Sequence, residues 1–206
     1  MQHSASDVAW IGSIQQFLAV LVGILTSKWV DYGYMYAMCT VGSILIVLGI
    51  MMNGQGTRYV HIFFSHGVCV GVGTGLIYLP CITCCSEYHH QKPGVALGLA
   101  TLGSSLGSLI FPIMFNKLQP NIGYAWTIRI IGFLVMALLL LALLLLRPRS
   151  RAIESRRLFA LHVFKDPVYI VFVLGYFLGN MGLYVPPYFL PSFGKHHKFS
   201  DAIFPF

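Results

Sequence analysis

The chain has 206 residues, of which 57% are hydrophobic and 9% charged, where an ordinary soluble domain carries about a quarter charged residues. A mean hydropathy of +0.76 exceeds what a water-soluble core of this size can hide, and it marks an integral membrane protein. The formal charge of +7 does not point to nucleic acid, because most basic residues gather in one short stretch and not over a polar face.

A spanning helix needs about 20 mostly apolar residues. Six stretches qualify, near residues 8–27, 34–52, 60–82, 94–116, 126–146 and 168–192. No basic segment followed by a short apolar run opens the chain, so no cleavable signal peptide is expected. The first span carries Gln15 and Gln16 at membrane depth. The third carries His66 and the run "GVGTGLIYLP" over 71–80. Gly71, Gly73 and Gly75 imitate part of a dinucleotide fingerprint, but no βαβ unit surrounds them and they lie inside a span.

The stretch "CITCCSEYHH" over 81–90 has the residue types of a metal site. Cys81, Cys84 and Cys85 close the third span and Glu87, His89 and His90 form the turn after it. Small, weakly polar side chains in a reducing compartment account for the cysteines, with reversible acylation and metal binding as lesser alternatives. Five cysteines in apolar settings make no disulfide framework. Neither a metal nor a cofactor is expected.

In the fourth span Gly94 and Gly98, then Gly103 and Gly107, are spaced four apart among alanines and serines. Small residues at that interval let helix backbones approach closely in lipid, so close packing is expected there. The fifth span is an unbroken apolar run from Ile130 to Leu146. Pro80, Pro112 and the pair Pro186–Pro187 are expected to kink or end helices.

After the fifth span come Arg147, Arg149, Arg151, Arg156, Arg157 and Lys165, which assign that loop to the cytoplasm. Alternating the spans adds Lys28 and Lys92 to the same side and leaves Arg58, Lys117, Lys195 and Lys198 on the other. Eight against four supports this orientation, and it places both chain ends outside.

Five motifs in fixed order, "SDVAWIGSIQQFL", "GVGTGLIYLP", "PGVALGLATLGSSLGSLIFPIMF", "GYAWTIRIIGF" and "LGYFLGNMGLYVPPYF", resemble the fungal monocarboxylate-transporter-like branch of the major facilitator superfamily. The resemblance implies an all-α membrane bundle of two six-helix halves working by alternating access, and it makes the six spans here that family's helices two to seven. Residues 1–146 would then be most of the N-terminal half, 147–167 a basic cytoplasmic linker, and 168–206 the first helix of the C-terminal half with a short tail. A truncated transporter is the expectation. The family's loop between helices two and three is kept here as Gly23, Leu25, Asp31 and Gly33, one residue shorter and without its two arginines.

The resemblance turns polar groups at membrane depth into candidates for a substrate route. These are Gln15, Gln16, Tyr78, Ser104, Asn180 and Tyr184, each of which must find a helix partner or line water. His66 is either a proton relay or a hydrogen-bonded packing residue. Arg129, beside Trp126 at the outer end of the fifth span, is either an interfacial anchor or a group that attracts an anion or gates its path.

No catalytic constellation is present, so an enzyme is not expected. The expected function is proton-coupled movement of a small organic acid or secondary metabolite, most simply across the plasma membrane. Partners would be membrane lipids, the small-molecule substrate and H+, with self-association if the truncation is real. The alternative is a non-transporting remnant or a regulatory partner of a full-length transporter.

Overall fold

The computed structural model describes residues 5–54, 59–88, 93–146 and 166–183, and all of the regular structure among them is helical. The chain forms two compact units, Met1–Arg156 and Arg157–Phe206. In the first unit α1 covers Ala5–Asp31 and α2 covers Met35–Asn53. A third helix, α3, opens as an α-turn over Tyr59–Ile62, widens to a π-helix over Phe63–Val70 and returns to α over Gly71–Tyr88. The segment Pro93–Leu145 is helical except at Gly123, whose φ of 77° and ψ of 165° break it into two helices. These are α4, residues 93–122, and α5, residues 124–145. In the second unit α6 covers Pro167–Leu183.

By length and hydropathy, Trp10–Val30, Met35–Asn53 and Tyr59–Ile82 can each cross a membrane, and so can the 52-residue Gly94–Leu145. Divided at Gly123, the last is two crossings in length. Pro167–Asn180 is a shorter apolar helix. Pro80 and Pro112 end no helix, and Pro186–Pro187 lie outside the described residues. The chain stays helical through Pro80, Pro112 and Pro120, and turns instead at the glycine, the one residue there free to take a positive φ without a steric cost. On either side of that break Thr127 Oγ1 donates to the Gly123 carbonyl at 2.8 Å, and Asn121 Nδ2 donates to the Lys117 carbonyl at 3.0 Å.

The turn from α1 to α2 is a Schellman motif. The Tyr34 amide reaches back to the Trp29 carbonyl at 3.1 Å and the Gly33 amide to that of Val30 at 2.9 Å, with Gly33 left-handed at φ 87°. The two flanking rings, Trp29 and Tyr34, meet at 6.2 Å between centroids, which is the apolar contact this motif usually carries. Gly33 is thus required by backbone conformation.

In lipid, apolar side chains gain nothing by leaving the solvent, so helices associate where small residues let backbones touch. The centre of the first unit is α3, and it does this on two faces. Gly67, Gly71 and Gly75 face α1 at Ile11, Gln15 and Ala19 in turn, and Leu79 reaches Gly23. Both members of each pair advance together along the chain, so α1 and α3 run parallel with constant register. On the other face Gly73 meets Gly42 and Ile46 of α2, while Gly49 of α2 meets Ser65, Cys69 and Val70, an antiparallel seam. α5 completes the unit against α2: Gly132 faces Ile50 and Met51, and Gly54 faces Ala125 and Ile128.

Candidate functional site

Polar groups at membrane depth fall in two places. The first is the α1–α3 seam. Gln15 is half-buried there, and its backbone lies against Gly71, five residues beyond His66. Gly67, next to His66, rests on Ile11 and Ile14. His66 itself sits in the π-helix, and its buried Nδ1 has no hydrogen-bond partner among the described residues. One residue earlier Ser65, 5% exposed, donates its hydroxyl to the His61 carbonyl at 2.6 Å and to that of Ile62 at 3.4 Å. A π-turn inserts one extra residue per turn and re-aims the side chains around it, which is why such turns recur at functional positions.

Chemically, a half-buried imidazole with one nitrogen unengaged is able to exchange a proton or a hydrogen bond with something that enters the seam. The same face offers little else that is fixed. Thr74 bonds back to the Val70 carbonyl at 2.7 Å. Tyr78 is exposed, as are Gln16 and Ser104, so none of these three is buried against another helix.

A second polar cluster lies where α2 ends against the start of α5. Asn53 is 7% exposed and Thr127 fully buried. The Asn53 side chain hydrogen-bonds the Tyr124 hydroxyl, yet Asn53 Oδ1 has no partner among the described residues. Two residues past Thr127, the Arg129 guanidinium stacks 5.1 Å above the centre of the Trp126 ring. The half-buried guanidinium retains donors that can meet an anion. Asn53, Tyr124 and Thr127 escape a reading of the sequence alone. The available signal is small: an asparagine closing an apolar run, and a glycine opening "GYAW".

The remaining candidates are dispersed. Asn180 in α6 donates to its own helix, to the Tyr176 carbonyl at 2.8 Å. Tyr184, the Asp31 side chain, the turn holding His89 and His90, and the arginine-rich stretch 147–165 lie outside the described residues. Gly23 packs on Leu79, and Gly33 is the turn residue already described. Gly94, Gly98 and Gly103 have nothing from another helix within 4 Å, and Gly107 meets only Phe111 of its own helix. The close packing expected of these four is therefore not made among the described residues. It is made by the α3 glycines instead. No three His, Cys, Asp or Glu side chains among the described residues converge as metal ligands. A groove of about 330 Å³ between α2 and α5 is bounded by Ile44, Val47, Met136 and Leu140 with Thr40 and Ser43, whose hydroxyls are bonded to carbonyls of their own helix, so it offers little to an acid.

Parallel and antiparallel apolar helices packed through glycines, with isolated polar groups at depth, define a multi-pass α-helical membrane protein. The sequence pattern of the Major Facilitator Superfamily matches residues 1–206, and the chain belongs to that family. It is 36% identical over 201 residues to the MFS-type transporter dbaD of Emericella nidulans, covering 98% of this chain and 45% of that protein. It is 31% identical over 202 residues to the aspyridones efflux protein apdF of the same organism, covering 98% and 41%. With the fujikurins efflux protein of Gibberella fujikuroi it shares 33% over 200 residues, covering 93% and 42%. The chain spans less than half the length of these three relatives.

Proposed function

We propose that this chain is part of a transporter that moves a small organic acid or secondary metabolite across the plasma membrane by alternating access, coupled to protons. The observation that carries the reading is His66. It is an ionisable ring at membrane depth, on a π-turn between two close-packed seams, with a buried nitrogen unengaged. Intramembrane ionisable groups are expensive to keep and mark ion or substrate paths. The substrate class draws on two relatives whose names state efflux of aspyridones and of fujikurins.

In this reading His66 passes the proton and Arg129 meets the substrate's carboxylate. Gln15, Gln16, Tyr78, Ser104, Asn180 and Tyr184 line the route. The monocarboxylate-like character rests on the motifs and on Arg129. Because the relatives are more than twice the length matched, the reading assigns the opposite wall of the cavity to further helices, supplied by a longer chain or a second copy. The work is differential binding of two states, with no covalent step.

The test is flux in sealed vesicles from cells expressing either this chain alone or this chain together with the C-terminal half of dbaD. A panel of labelled monocarboxylates is offered under an imposed pH gradient. Gradient-driven flux in the second preparation that disappears on collapsing the gradient supports the reading. Flux that ignores the gradient refutes the coupling. No flux in either preparation, with both proteins in the membrane, refutes transport and favours a regulatory partner.

A further inference from the structure

The α2–α3 seam holds two thiols in contact. The backbones pass so closely at Gly42 and Gly73 that a Cβ on either would lie 2.8 Å from the other's carbonyl oxygen. Along this antiparallel seam Gly49 opposes Ser65 to Val70, and Gly42 opposes Gly73 to Ile77. One turn back from Gly42 is Cys39, and one turn on from Ile77 is Cys81. The register therefore brings the two side chains together, and they share a hydrogen bond with the Cys39 thiol donating to the Cys81 sulfur. Cys39 is 3% exposed, whereas Cys81 is exposed. No disulfide joins any of the five cysteines.

We propose that Cys39 and Cys81 are an oxidant-sensitive dithiol, which a hydroperoxide closes into a disulfide that bolts α2 to α3. The exposed Cys81 sulfur attacks one peroxide oxygen and the O–O bond breaks. Cys81 becomes a sulfenic acid, and the other oxygen leaves as water or alcohol with the Cys81 proton. The Cys39 sulfur, already in contact, then attacks the Cys81 sulfur. The S–O bond breaks, and the hydroxyl leaves as water with the Cys39 proton. Two thiols have lost two electrons in all and one hydroperoxide has gained them.

Two competing pairings, Cys81–Cys84 and Cys69–Cys81, are excluded by geometry. Cys81 and Cys84 are three apart on one helix, where Cβ atoms stand about 5–6 Å from each other, beyond the roughly 3.5–4.5 Å a disulfide spans. Cys69 is twelve residues from Cys81, or about 18 Å along the axis. Access is short, since Cys39 lies about 6 Å along the axis from the first residue of α2, a depth that a small neutral peroxide reaches.

The purified full chain in detergent is treated with hydrogen peroxide, unfolded in dodecyl sulfate and alkylated with N-ethylmaleimide. The expected result is loss of two alkylation sites, leaving three of the five. A peptide joining Cys39 to Cys81 should appear in the non-reduced digest and vanish with dithiothreitol. Cys84→Ser should keep that peptide and Cys81→Ser should abolish it. The joined peptide is read in the wild-type chain, so the decision does not depend on any variant folding. Cys81 linked to Cys84 or Cys85, Cys81 driven to sulfinic acid with Cys39 still alkylated, or five alkylated cysteines after peroxide would each overturn the proposal.

Discussion

Replacing Gly75 with alanine tests whether the α1–α3 seam is set by glycine. The added Cβ would lie 2.7 Å from the Ala19 carbonyl oxygen and 2.9 Å from Val22 Cβ, both of them groups that cannot swing aside. Restoring an ordinary contact of 3.4 Å requires the helices to part by about 0.7 Å at that point. A gap of roughly 0.5–1 Å forfeits a quarter to a half of each dispersion contact it opens, and the neighbouring pairs Gly67–Ile11, Gly71–Gln15 and Leu79–Gly23 share the opening. Overpacking of this kind costs about 1–3 kcal/mol. Alanine recovers about 0.5–1 kcal/mol over glycine inside a helix. The net expectation is a loss of about 0–2.5 kcal/mol, and 1 kcal/mol within that range lowers the folded-to-unfolded ratio about fivefold. Gly98→Ala is the matched control: nothing lies within 4 Å of its Cβ position, so only the helix-propensity gain applies. Thermal unfolding of the purified chain in detergent, followed by the fluorescence of its three tryptophans, reads both. The reasoning is refuted if Gly75→Ala melts at or above the wild-type temperature, or if Gly98→Ala loses as much as Gly75→Ala.

Gly33→Ala should destabilise by about 1–2 kcal/mol, because a Cβ is strained at φ 87°, and Gly33→Asn should lose less. Equal melting temperatures for all three proteins would remove the Schellman turn from the account. Trp126→Leu should lower stability by about 0.5–1 kcal/mol through the lost cation–π contact, a loss that vanishes in an Arg129→Gln background if the two residues act as a pair. In a transporting preparation Arg129→Gln should reduce either abundance or uptake, and no change in both would dismiss the residue. His66→Gln should leave the helices folded and flatten the pH profile of flux, since it removes the imidazole that would relay the proton. A profile identical to wild type would show that His66 does not relay protons.

Hydropathy alone makes the helices legible in the sequence. It is a sum over some 20 residues and tolerates local detail. The turn at Gly33 is legible in its residue type. Its Schellman bonds become visible only with the carbonyls of Trp29 and Val30 in place. Other features depend on single contacts. The π-helix over Phe63–Val70 leaves no trace in the apolar periodicity. Gly67, Gly71 and Gly75 of α3 pack on α1, whereas the α4 pairs Gly94/Gly98 and Gly103/Gly107 meet no other helix among the described residues, although each pair has the same four-residue spacing. What decides is which helix has a neighbour at that face. Likewise Asn53, Tyr124 and Thr127 are unremarkable in sequence, and the burial of Asn53 and Thr127 and the Asn53–Tyr124 bond become visible only when α2 and α5 meet.

The open faces of α4 and α6 have a physical reading that differs from that of a soluble protein. Leu99, Leu102, Leu106 and Leu109 are more than half exposed, which in water would be costly and in hydrocarbon is ordinary solvation. The informative groups on such a face are the polar ones. On α4, Thr101 donates to the Gly98 carbonyl at 2.8 Å, Ser105 to that of Thr101 at 3.4 Å, and Ser108 to that of Ser105 at 2.8 Å. Each hydroxyl is satisfied on its own helix, so this stripe can face lipid without an unpaired donor. His66 and Asn53 differ: each leaves a buried polar atom without a partner among the described residues, and each sits where two helices already touch. A buried polar atom left unpaired costs about 1–3 kcal/mol. Replacing Ser105 by alanine should therefore change little, whereas a solute that hydrogen-bonds His66 should stabilise the chain. The number to measure is the melting temperature across a series of monocarboxylates in a preparation that transports, with the His66→Gln protein in parallel. A rise in the wild type that the variant lacks would tie ligand binding to the histidine, and equal rises in both would place the ligand elsewhere.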